Sequence, residues 1–141
     1  MKSEIIILLA ITAFLWGTTP VLEKIGLGKT DPITGVTIRS IAVTLALLVY
    51  LAITGKVSAL LRADGKTILI FSATGLIAGL LGMLTYFAAL KKGATSQIVP
   101  IAAAYPLVTA VLSILILREN VSPLRIMGTV LIILGIWLVQ N

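Results

Sequence analysis

Trp16, Arg39, Tyr86 and Tyr105 are the side chains of this sequence best equipped to hold a small molecule, and none is equipped to transform one. An arginine presents a planar, permanently charged fork that takes a carboxylate or phosphate through paired hydrogen bonds. Aromatic walls with one well-placed polar group are the usual make-up of a small-molecule pocket. Chemistry on the bound molecule would need more. The five acids, Glu4, Glu23, Asp31, Asp64 and Glu119, fall at the ends of apolar stretches or between them, which leaves no buried carboxylate pair. With no histidine and no cysteine, the usual zinc and haem ligands and all thiol chemistry are missing. There is no phosphate-binding loop and no dinucleotide fingerprint. The residues imply binding without catalysis, and neither a cofactor nor a metal.

The elements that carry these side chains are five apolar runs, at about 5–22, 33–53, 68–90, 98–117 and 124–139. A bilayer core about 30 Å thick needs about 20 apolar residues of helix, and four of the runs come close to that. The fifth is short and relies on Trp137 and Gln140 to settle at the interface. Hydrophobic residues make up 59% of the chain and charged ones 11%, nearly all of them between the runs, so a water-soluble domain is excluded. The expectation is an all-α integral membrane protein with five transmembrane helices in one domain over 1–141, multi-pass in the cell membrane. The opening Met1-Lys2-Ser3-Glu4 has little net charge, and no small-residue cleavage site follows, so it reads as a retained first helix rather than a signal peptide. The net charge of +6 is spread thinly over every loop with no aromatic interleaving, which argues for lipid headgroups as partners and against nucleic acid.

Polar and small residues form stripes at helical spacing. Thr12, Trp16, Thr19 and Glu23 share one face of the first run, and Gly75, Gly79, Gly82 and Tyr86 repeat that spacing in the third. Ala102, Tyr105, Thr109 and Ser113 follow in the fourth, and Gly128 and Gly135 in the fifth. Aligned glycines let helix backbones approach closely in lipid, so Gly75, Gly79, Gly82, Gly128 and Gly135 are the expected packing positions. Pro20, Pro100 and Pro106 are expected inside helices, each freeing the carbonyl four residues back, those of Trp16, Ser96 and Ala102. Such breaks survive where a neighbouring hydroxyl or a watery cavity satisfies the carbonyl, and transporters use them to line their sites. Asp31-Pro32 and Ser122-Pro123 read as helix starts; Gly93 ends the third helix, with Thr95 or Ser96 capping the fourth. Arg39 lies about 10 Å along its helix from Pro32. Either it snorkels to the headgroups or pairs with Glu23, or it is a fixed positive charge in a cavity.

LWGTTPVLEK, DPITGVTIRS, GLLGMLTYFAALKKG, PIAAAYPLVTAVLSILILREN and GTVLIILGIWLV, in that order and spacing, resemble the EamA domain of the drug/metabolite transporter superfamily. The pattern falls on Trp16-Gly17, Pro32 with Arg39, Ala89, Pro106, Glu119 and Gly128. The resemblance implies a secondary transporter of small polar metabolites such as amino acids. Most members carry two such units of opposite orientation in one chain; a single unit is then half of a ten-helix inverted-repeat fold, which implies an antiparallel homodimer working by alternating access.

Ala13-Phe14-Leu15-Trp16-Gly17-Thr18-Thr19 also looks like the first helix of small multidrug resistance proteins, where an acid binds proton and drug. Here Phe14 stands in its place, which disfavours multidrug or cation efflux of that type and proton exchange through a mid-membrane acid of the first helix; Glu23 is closer to the interface. A rival of another class is a membrane scaffold or assembly subunit whose stripes only pack. Loop charges are nearly balanced: Lys2, Lys56, Arg62, Lys66, Arg118 and Arg125 on the N-terminal side, against Lys24, Lys29, Lys91 and Lys92, with Arg39 if it snorkels. That leaves a slight preference for a cytoplasmic N-terminus, or insertion in both orientations.

Overall fold

Two helix starts in this chain are written as aspartate followed three residues later by threonine. In the computed structural model, which describes residues 3–140 (Gln140 by its backbone alone), Asp31 accepts hydrogen bonds from the Thr34 amide at 3.0 Å and the Thr34 hydroxyl at 2.6 Å. Asp64 does the same with Thr67, at the same two distances. Each satisfies an amide that the first turn of a helix leaves without a partner. Lys2 and Asn141, and the Gln140 side chain expected to anchor the last helix, lie outside what is described.

The chain divides into two compact units, Met1–Lys92 and Gly93–Asn141. In the first, α1 (Ser3–Leu27) runs about a turn beyond its expected end. α2 (Pro32–Ile53) begins at Pro32 behind its Asp31 cap, as the sequence implies. The stretch between the second and third apolar runs contains a short helix, α3 (Val57–Leu61), after a turn at Gly55, whose φ of 66° favours glycine. The third apolar run is not one continuous α-helix. It is α4 (Gly65–Thr74), a π-helical segment (Gly75–Gly82) and α5 (Met83–Lys92). Three glycines in eight residues supply the backbone freedom that a π-turn needs. A stripe drawn at a period of 3.6 therefore does not carry from Gly75 through to Tyr86.

Unit one is pinned where the end of α1, the start of α2 and α5 meet. Leu27, Val36, Phe87 and Leu90 are the buried hydrophobic side chains there, and Pro20 of α1 is buried as well. Gly35 makes the close approach possible: a Cβ on it would stand 3.2 Å from the Phe87 ring and 3.5 Å from Leu27. Lysines tie the junction: Lys24 Nζ donates to the Leu90 carbonyl in the last turn of α5 at 2.5 Å, and Lys91 Nζ to the Thr30 carbonyl between α1 and α2 at 2.6 Å. Cations at the last carbonyls of a helix satisfy them and complement its dipole.

Unit two holds α6 (Thr95–Ala102), α7 (Tyr105–Leu117) and α8 (Pro123–Gln140), with α6 against α8. The fourth run, expected to be continuous, is interrupted at Ala103 and Ala104, where the Ala104 amide reaches the Ile101 carbonyl in a tighter turn. Pro106 thus stands in the first turn of α7, where a missing amide costs nothing, instead of inside a helix. The N-cap of α6 is Ala94, without a side-chain cap, so Thr95 and Ser96 belong to the first helical turn and do not precede it. α7 closes on Arg118 in the left-handed conformation, φ 53°, with the Glu119 amide bonded back to the Ser113 carbonyl at 3.2 Å.

Four stretches are long and apolar enough to cross a membrane: Ser3–Leu27, Pro32–Ile53, Gly65–Lys92 and Thr95–Leu117. Pro123–Val139 is apolar but shorter, so the expectation of five spans is met in length and composition by four. At most 6% of any of these four windows is buried within the chain, so their apolar side chains face outward, as lipid requires and water forbids.

Gly35→Val should cost about 1–3 kcal/mol, the usual penalty for overfilling a packed site, read as a drop in thermal unfolding in detergent. The Thr34 and Thr67 hydroxyls hold the Asp31 and Asp64 carboxyls below the ordinary carboxylate range. With folded values below unfolded ones, the cap contribution is complete above the unfolded value and fades as pH falls through the folded one. Asp64→Asn, which keeps an acceptor but does not titrate, should flatten that acid limb of the unfolding curve.

Candidate functional site

Arg39 sits on α2 seven residues beyond Pro32, with its side chain 49% exposed. Its Nε lies 3.9 Å from Oε1 of Glu23 on α1, whose side chain is only 13% exposed. That separation is an ionic contact rather than a hydrogen bond. Arg39 also lines a cleft of ≈ 310 Å³ with Ser40, Thr44, Gly75 and Gly79. Arg39 thus pairs with Glu23 and also borders a cleft.

The cleft owes its existence to what the π-helical segment lacks. A Cβ on Gly75 or Gly79 would meet no atom within 4 Å, so both glycines leave open space beside α2 instead of receiving a neighbouring helix. Gly128 and Gly135 are equally open, while at Gly82 the nearest contact is the Ile77 carbonyl at 3.3 Å. Gly35, against which the Phe87 ring packs closely, belongs to no stripe. Ser40 and Thr44, also missed, had a signal: they stand four apart on α2, next to Arg39.

The other sequence candidates fall differently. Trp16 is 65% exposed on α1 and is not part of the Arg39 cleft. The carbonyl that Pro20 frees, that of Trp16 itself, accepts the Thr19 hydroxyl at 3.0 Å, so a local side chain satisfies it. Thr12 and Thr18 likewise donate to carbonyls of their own helix. Tyr86 is half-buried on α5, its ring 6.1 Å from that of Phe87, and lies within electrostatic reach of Glu23. Pro100 is inside α6. Tyr105 lines a separate cleft of ≈ 300 Å³ in the second unit with Pro106, Thr109, Ser113, Glu119 and Arg125. Among the described residues no group of three acidic, histidine or cysteine side chains gathers that could hold a metal ion.

A family model described as the EamA-like transporter family matches residues 3–140. The chain belongs to the EamA-like transporter family. It is similar to an uncharacterized protein of Methanocaldococcus jannaschii, 31% identical over 135 residues, which covers 96% of this chain and 95% of that one. No solved structure matches it. Membership makes this EamA-like chain a membrane transporter of the drug/metabolite type rather than a member of an enzyme family, and its apolar helices make it a multi-pass membrane protein.

If the cleft exists because glycines line it, filling it should be harmless to folding. Gly79→Leu should keep thermal unfolding within about 0.5 kcal/mol of the parent, as for substitutions that touch nothing. A large loss of stability would show that this side of the π-helical segment is packed.

Proposed function

We propose that this EamA-like protein carries small polar metabolites with a carboxylate, amino acids among them, and that the Arg39 cleft receives the carboxylate. The observation that carries the reading is a guanidinium, part-way along a membrane helix, bordering a cleft that also offers the Ser40 and Thr44 side chains. A charge at that depth is costly unless it pairs or faces water, and it marks substrate pathways where it occurs. The fixed charge is positive, which suits an anion or zwitterion and repels the cationic drugs of the small multidrug resistance type. Phe14, 72% exposed, offers no substitute acid. The polar side chains of Arg39, Ser40 and Thr44 along the cleft favour binding over a purely scaffolding role. Trp16, Tyr86 and Tyr105 remain proposed wall residues of the assembled transporter.

The working form in this reading is an antiparallel homodimer operating by alternating access. The near-balanced loop charges support it, as do the outward-facing Gly128 and Gly135. A relative of nearly the same length also supports a unit of this size.

The test is ligand stabilisation of the purified protein against a panel of amino acids. Arg39→Lys should leave the fold intact and weaken binding about tenfold, since a charged hydrogen bond worth about 1.5–3 kcal/mol is lost when the planar fork goes. Unchanged binding in Arg39→Lys would sink the cleft as the site, because a snorkelling arginine is replaceable by lysine.

A further inference from the structure

We propose that Glu23 is a built-in competitor for the anion subsite at Arg39, and that a carboxylate entering the cleft displaces it as Glu23 takes up a proton from water. The inference rests on the reading of Arg39 just given. Its independent support is the geometry of the pair. Glu23 is 13% exposed, between helices that pack together, and the charged group it faces on α2 is Arg39 at 3.9 Å. From α5 Tyr86 is within electrostatic reach, and Lys91 of that helix is occupied with the Thr30 carbonyl. Lys24, its neighbour on α1, is engaged with the Leu90 and Lys91 carbonyls.

The contact is loose. A carboxylate that reached the fork of Arg39 from the cleft would bond at about 2.7–2.9 Å and in bidentate form, which the present pair does not achieve. Arg39 cannot give up its own proton, so charge must balance elsewhere. Once its counter-ion is taken, a largely buried carboxylate neutralises rather than standing as an uncompensated ion. One proton is taken up on Glu23 for each anion bound, no covalent bond changes apart from the new O–H, and the net charge of the cluster is conserved. Anion binding at Arg39 therefore strengthens in acid and is linked to proton uptake.

The experiment uses the full chain in detergent micelles, with acetate as the probe and the Arg39 Nε–H proton–nitrogen resonance as the readout. Wild type should bind acetate at least about fivefold more tightly at pH 5.5 than at pH 8, the low end of coupling between linked sites. Glu23→Gln should bind at both pH values as tightly as wild type does in acid, and Arg39→Gln, which lacks that resonance, should take up no protons when acetate is added. As a second measurement needing no variant, acetate added to lightly buffered wild type at pH 7 should remove protons from solution in step with binding. Acetate binding that is independent of pH, with no proton uptake and no gain in Glu23→Gln, overturns the competition while leaving the anion subsite standing. No acetate response in wild type or Glu23→Gln removes the subsite itself, and the competition with it.

Discussion

A hydrocarbon surround offers no hydrogen bonds, so each polar group of this chain within the bilayer must find its partner in the chain itself. That constraint explains the long helices, and it explains what happens at their irregular points. The Trp16 carbonyl freed by Pro20 takes the Thr19 hydroxyl, and threonines along α1 and α2 bond to carbonyls of their own helices. The interruption at Ala103 and Ala104 is bridged by short-range amide–carbonyl bonds that hand the chain from α6 to α7. At these points the chain satisfies its own backbone groups.

Charge follows the same logic with less freedom. Lys24 and Lys91 are spent on carbonyls where the ends of α1 and α5 meet. Aspartates sit where amides need acceptors, at the starts of α2 and α4. Arg39 has no helix end nearby, and its contact with Glu23 is long and half open. It borders the open space beside the π-helical segment.

Glycine serves two opposite purposes. At Gly35 the absent side chain is filled by the Phe87 ring, and the junction of α1, α2 and α5 closes over it. At Gly75 and Gly79 the absent side chains stay empty, and a π-helical segment with open space beside Arg39 results. One makes a joint and the others make a cleft. Nothing in residue type distinguishes them.

Composition and run length alone established a helical membrane protein, because the bilayer imposes a length and a polarity that few sequences meet. The order of the motifs pointed to the family, and Asp31 before Pro32 marked a helix start, since a cap is decided by residues three apart. The extra turn of α1, the π-helical segment and the break before Tyr105 were not legible, because an α-helix, a π-turn and a bent helix share nearly the same hydrophobic pattern. Their choice rests on small differences in backbone energy. Nor did spacing reveal that Gly35 receives a ring while Gly79 faces a cleft. That depends on which residue of a distant helix arrives opposite, and only the tertiary structure brings Phe87 to the first and Arg39 to the second.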